Sequence, residues 1–240
     1  MISDVINGRG RNIANPNGLG FEDQNGPTKE NGTELLLRKT PSVVAGTTDI
    51  RIGCGQMTDY EKVYNAIVGD PRYQRNLDWG EARPGHPEGT VRAHIAEIEA
   101  NLEALRPKLS ASDYWKLKIL IHTHDSFKRE ALQGVAITAP ESHASLACAF
   151  LASLCHDADL LAMVQYHDEP FALWRQFSSK GKFSVERFSV LLTRIQDWNL
   201  FLAFNIIDGC TEGKSREPLT WLFQQVEGKV QSEFTAADIL

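Results

Sequence analysis

Beyond residue 86, apolar residues recur at spacings of three and four, the period of helices with one buried face. Val91, Ile95, Ile98, Leu102 and Leu105 form the first stripe, and His94 lies on it. A second helix starts near Ser112, with Asp113 and Tyr114 in its first turn. Leu117, Leu120, Ile121, His124 and Phe127 form its inward face. Gly134 and Pro140 punctuate the loop ALQGVAITAPES. A third helix is predicted from about Glu141 to Cys155 and a fourth from about Asp157 to Tyr166, after which Pro170 ends or redirects the chain. FALWRQFSSKGK reads as a short helix and a polar loop. One long helix is predicted from Val185 to about Ile207, with Ser184 as N-cap and Asp208-Gly209 at its end. A last helix runs from Pro218 to about Val226, with proline at an early helical position. The tail SEFTAADIL has room for one more turn.

Upstream, DYEKVYNAIV (Asp59 to Val68) reads as an early helix with Thr58 as N-cap. Residues 1–45 are rich in Gly, Asn, Asp and Thr and lack a sustained period, so they read as a flexible N-terminal arm. Residues 46–240 then form one helical domain that closes on the C-terminal helix. There is no repeat and no alternating strand pattern of useful length. The fold class is all-α.

Composition narrows the function. A chain of 240 residues with 42% apolar content suits one ordinary domain with an appended segment. A net charge of -6 argues against an extended nucleic-acid surface, which needs a basic surplus to displace counterions. It leaves room for a small phosphorylated substrate. Cys54, Cys148, Cys155 and Cys210 form no CxxC pair, so neither a thiolate zinc site nor a dithiol redox motif is indicated. No stretch is apolar enough to span a membrane, and MISDVINGRGRN lacks the apolar core of a secretory signal. The expected setting is cytoplasmic.

The chemistry concentrates in His94, His124, Asp125, His143, His167, Asp168 and Asp208. These are the nitrogen and oxygen ligands suited to Fe, Mn, Co, Ni or Zn. His124-Asp125 interrupts LKILIHTHDSFK, a run that otherwise reads as buried helix. A buried, unpaired carboxylate is costly, and a cation removes that cost. Lys128 falls three residues after Asp125, on the same side. The dipeptide His-Asp also occurs at 156–157 and 167–168. Asp157 opens DADLL as an N-cap or first-turn acid, which places His156-Asp157 at a helix junction. His167 ends an apolar helix as a ligand, with Asp168 orienting its imidazole or contacting substrate. Asp208 sits at a helix C-terminus, where the dipole opposes an acid. Trp115, Trp174 and Trp198 occupy apolar helical contexts and read as core, with platforms for a base as the alternative.

The order His, His-Asp, His, His, Asp on successive helices resembles the HD-domain superfamily of metal-dependent phosphohydrolases. HDSFK is similar to its HDxxK pattern, and HPEGTVRAHI looks like the start of the HD domain in some tRNA nucleotidyltransferases. The resemblance covers about residues 60 to 215. It implies a first metal held by His94, His124, Asp125 and Asp208, and a second completed by Asp125, His143 and His167. One or two divalent ions would then activate water against a phosphoester, with a nucleotide as the default substrate. Asp125 and Lys128 would be the catalytic pair. Arg92, Lys128, Asp168, Lys214 and Arg216 would contact the substrate, and Arg83 and His86 would line the mouth. The six-ligand set also resembles di-iron HD-type oxygenases. A non-catalytic, metal-bearing regulatory protein is a third possibility.

Overall fold

The computed structural model describes residues 58–240. The arm expected at 1–45, the residues at 46–57 and Cys54 lie outside the described residues. Ten α-helices and two short 3-10 turns make up the described part, and no strand occurs among the described residues. The all-α class holds.

The order begins with α1 (Tyr60–Gly69) and the single turn α2 (Pro71–Gln74). Next come α3 (Val91–Leu105) and α4 (Ala111–Thr123), then α5 (His143–Ala152) and α6 (Ala158–Tyr166). The chain closes with α7 (Glu169–Lys180), α8 (Val185–Arg194), α9 (Trp198–Gly209) and α10 (Glu217–Val226). The tail makes one 3-10 turn, Ala236–Asp238.

Helix α4 is the hub, packing against α1, α3, α5, α6 and α9. Leu117, Ile119, Leu120 and Ile121 are all fully buried, so the C-terminal half of α4 is enclosed on nearly every side. Each such side chain contributes roughly 1.5–3 kcal/mol of burial free energy. Around the hub, α3 packs on α9, α5 on α6 and α7 on α10.

Several boundaries differ from the sequence expectation, each for a local reason. Asp59, not Thr58, caps α1 by accepting from Lys62 N at 3.1 Å. Ser110 caps α4, two residues ahead of the expected start. The turn α2 was not anticipated; Asp70 caps it and Pro71 opens it. Helix α5 ends at Ala152, short of Cys155. Pro170 does not end a helix but occupies the first turn of α7, where a missing N–H costs nothing.

The largest correction is the long helix expected from Val185 to Ile207, which is two helices. Ile195 turns extended (φ -88°, ψ 125°), and Asp197 caps a new helix by accepting from Leu200 N at 2.9 Å. Asp159 of α6 accepts from the backbone N–H groups of Gln196 and Asp197, both at 2.8 Å. Two acids thus satisfy the donors that a continuous helix would have paired internally.

Ahead of α3, the loop at 78–90 folds back tightly on itself. Gly80 has φ +119°, and a Cβ there would stand 2.4 Å from the Gly89 carbonyl oxygen, so only glycine fits. This closure carries His86 and Glu88 against His94.

Candidate metal centre

Five helix ends meet at one point. Helices α4, α6 and α9 arrive by their C-termini with His124, His167 and Asp208, while α3 and α5 arrive near their N-termini with His94 and His143. Three helix C-termini concentrate partial negative charge there, which favours a cation.

His124 and Asp125 do not lie within a helix as expected. Helix α4 stops at Thr123, His124 is its C-cap, and HDSFK continues as successive turns. The sequence ends the helix itself. Thr123 Oγ1 donates to the Ile119 carbonyl at 2.7 Å, and the Ser126 hydroxyl donates to the His122 carbonyl. His124 Nδ1 lies 3.1 Å from the carbonyls of both Leu120 and Ile121. A carbonyl only accepts, so Nδ1 carries the proton and Nε2 presents its lone pair inward.

The His167 imidazole is held in the same sense. His167 Nδ1 lies 2.7 Å from the Val164 carbonyl. Outer partners of this kind fix the tautomer of a ligating histidine. His94 Nδ1 lies 3.0 Å from Glu88 Oε1 without the alignment of a hydrogen bond, and His86 Nδ1 bonds that same oxygen at 2.9 Å. Nε2 of His94, His124, His143 and His167 all face the Asp125 carboxylate.

Asp125 divides these groups. Its Oδ2 stands 3.8 Å from His94 Nε2 and 3.5 Å from His124 Nε2. Its Oδ1 stands 3.7 Å from His143 Nε2 and 3.5 Å from His167 Nε2. Asp208 Oδ1 joins the first group, 3.0 Å from His94 Nε2 and 3.8 Å from His124 Nε2. Donors bound at about 2.0–2.2 Å to one ion stand roughly 3.0–3.6 Å apart. In each triad the ligand atoms lie within 4.8 Å of one another. His124 Nε2 and Asp125 Oδ1 are buried without a hydrogen-bond partner. Such orphaned atoms are costly unless something positive meets them. Six of the residues expected as ligands are therefore brought together, and they fit a metal.

Asp168 stands closer in than expected. Its Oδ2 is 3.2 Å from His143 Nε2 and 3.8 Å from His167 Nε2, the spacing of a fourth donor in the second group. His86 and Glu88 form a further potential ligand group with His94. Glu88 was missed in the sequence, where it looks like a polar residue of the turn HPEGT.

The acids are balanced by lysines. Burial pushes the Asp125 carboxyl up, but the Lys128 ammonium and the histidines hold it well below its ordinary range. Lys128 bonds Asp125 Oδ2 directly. Asp208 follows the same pattern, with Lys214 Nζ 2.9 Å from Oδ1. Burial lowers the His124 pKa. It acts likewise on His167, but Asp168 and Asp125 outweigh it and bring that residue to about 8.

These groups floor a cavity of about 600 Å³, within the range of small-molecule sites. Lys128, Lys214 and His86 line it. Arg175, missed in the sequence, lines it too and has no acidic partner among the described residues. Two expected contacts are placed elsewhere. Arg92 is paired with Asp78 at 2.8 Å on the surface. Arg216 donates to the carbonyls of Gly209, Cys210, Thr211 and Lys214, bracing the end of α9. Arg83 lines a small adjoining void together with Glu88, His94, Asp125 and Lys128. Trp174, expected in the core, lies on the cavity wall, while Trp198 is buried as expected. His156 is exposed at the α5–α6 junction, where Asp157 caps α6.

No helix among the described residues is long and apolar enough to cross a membrane. A helical fold with a buried His/Asp cluster able to hold metal is compatible with an HD-type arrangement. Set against protein-family models, curated proteins and solved structures, the chain finds no match.

Proposed function

We propose that the chain is an HD-type, metal-dependent phosphohydrolase acting on a nucleotide or another small phosphorylated substrate. The observation that carries this reading is the division of the Asp125 carboxylate, one oxygen toward His94 and His124 and the other toward His143 and His167. A single acid shared between two histidine sets suits two neighbouring divalent ions. His94, His124, Asp125 and Asp208 would hold the first; Asp125, His143, His167 and Asp168 would hold the second. Bound ions of this kind supply a water of lowered pKa and offset charge on phosphoryl oxygens.

The chain's own residues do the rest. Backbone carbonyls take up Nδ1 of His124 and His167, which turns their Nε2 atoms toward the cluster. Lys128 and Lys214 place ammonium groups beside the carboxylates and offset negative charge that gathers as the substrate reacts. Arg175 is free to meet a phosphate oxygen, with the planar fork that suits it. In the reaction, a water oxygen forms a bond to phosphorus as the ester P–O bond breaks. The leaving oxygen takes up a proton, giving phosphate and an alcohol.

The test is phosphate release from nucleotides and p-nitrophenyl phosphate by protein loaded with Mn, Co, Ni, Zn or Fe, under anaerobic conditions. Metal-dependent release without oxygen is the expected result. Oxygen uptake with two irons per chain and no hydrolysis would instead assign the site to oxygenase chemistry. Asp125→Ala should lose both metal and turnover while His156→Ala keeps both, with circular dichroism confirming that each variant folds. Retained metal and rate in Asp125→Ala would sink the assignment.

A further inference from the structure

The cavity has two halves of different chemistry. Its floor is the His/Asp cluster; its outer wall is apolar and built largely from α7 and α10. Phe171 and Trp174 sit three residues apart on α7, so they share a helix face. Their rings stack on one another with centroids 5.6 Å apart and planes at 26°. Pro218, Leu219 and Leu222 complete the apolar lining.

This wall is fixed relative to the cluster. Asp168 is the residue that leads into α7, so at 1.5 Å per residue Phe171 and Trp174 stand about 4.5 and 9 Å along the helix from it. Pro170 sets the first turn, and the buried Glu169 carboxylate takes a two-pronged bond from Arg187 at 2.7 and 2.6 Å. Behind the platform, Phe177 stacks on Trp221, whose ring is held edge-on by Phe183. Phe171 is nonetheless 47% exposed. A large aromatic left facing the solvent of a cavity, on a scaffold this well braced, marks a surface kept for a ligand.

We infer that Phe171 and Trp174 form a stacking subsite for a planar aromatic group on the molecule whose anionic end meets the His/Asp cluster. This rests on the phosphohydrolase reading for the identity of that end, and it adds what the other end must be. A nucleobase and a simple aryl ring share the required chemistry, a flat π-face; a polyol or a short alkyl chain does not. Stacking on an aromatic side chain changes affinity by roughly 5- to 150-fold on alanine substitution.

Binding of two phosphonates, which cannot be hydrolysed as esters, tests the subsite apart from turnover. Calorimetry with the Mn-loaded full chain should show phenylphosphonate binding at least about 5-fold tighter than methylphosphonate. Trp174→Ala and Phe171→Ala should collapse that ratio toward one. Trp174→Leu, which keeps apolar bulk but removes the flat face, covers the case in which the alanine variant fails to fold. Equal affinities in the wild type, no binding of phenylphosphonate, or a ratio that survives all three substitutions would overturn the subsite. Turnover of phenyl phosphate is scored separately: a phenyl preference without turnover keeps the subsite and rejects the hydrolase reading.

Discussion

Lys128 bonds the same Asp125 oxygen that faces His94 and His124. In metal-free protein it is the main positive charge on a carboxylate that is only 7% exposed, and its own side chain is 20% exposed. Lys128→Met keeps the length of the chain and removes the charge. Breaking a buried pair costs roughly 3–5 kcal/mol, and the partial exposure of Lys128 places this one near the lower bound, about 3 kcal/mol. For a domain of this size each kcal/mol moves Tm by roughly 2–4 °C, so the metal-free variant should melt about 6–12 °C below wild type. A bound divalent ion supplies positive charge to the same carboxylate. With saturating Mn the gap should therefore shrink by at least half, and Mn affinity should rise because no ammonium competes for Oδ2. Differential scanning calorimetry in chelator and in Mn, with a metal titration, reads all three quantities. A gap of the same size with and without Mn would refute the claim that Lys128 and the metal share one oxygen. No gap at all would reduce the pair to an ordinary surface contact.

Three further outcomes follow from particular contacts. Glu88→Gln should weaken metal binding at the His94 side by about 10- to 100-fold, since the Glu88 carboxylate stands 3.0 Å from that imidazole; unchanged metal affinity in a calorimetric titration would remove Glu88 from the site. Gly209→Ala should destabilise by about 1–3 kcal/mol because the new Cβ would stand 2.9 Å from Leu219 Cδ1 and Cγ, and Leu219→Val should recover part of the loss in the double variant. Glu99, held by His122 at 2.8 Å and by Lys118, has its carboxyl lowered to about 2. Its contribution is present above the unfolded value near 4.5 and is lost as pH falls toward 2. The stability difference between wild type and Glu99→Gln should accordingly close over that interval in acid denaturation, and a difference that stays constant across it would contradict the assignment.

The helices themselves were legible because their apolar stripes are long and their caps are Ser, Thr or Asp. Ser184, Asp157 and the proline opening α10 stand where the pattern puts them. The break between α8 and α9 was not legible. VERFSVLLTRIQDWNLFLAF carries a helical period through the whole stretch, and the break depends on Asp159, a residue 37 positions away from Gln196. Tertiary contacts of that kind override a local period without leaving a mark on it.

The site divides along the same physical line. Ligand types and their order could be read, since polar residues at the ends of apolar runs are conspicuous. What could not be read is which partner each charge would find. Lys214 and Arg216 lie two apart in one loop, yet the first turns to Asp208 and the cavity while the second disappears into the carbonyls that end α9. Arg92 looks as suitable for phosphate as Arg175, but Asp78 holds it at the surface and no acid among the described residues holds Arg175. The difference lies in the accounting of backbone carbonyls and neighbouring acids, which depends on the fold. A cation that the fold has already satisfied is a brace, and one left without a partner at a cavity wall is available to a substrate. Arg175, rather than Arg92 or Arg216, meets that condition.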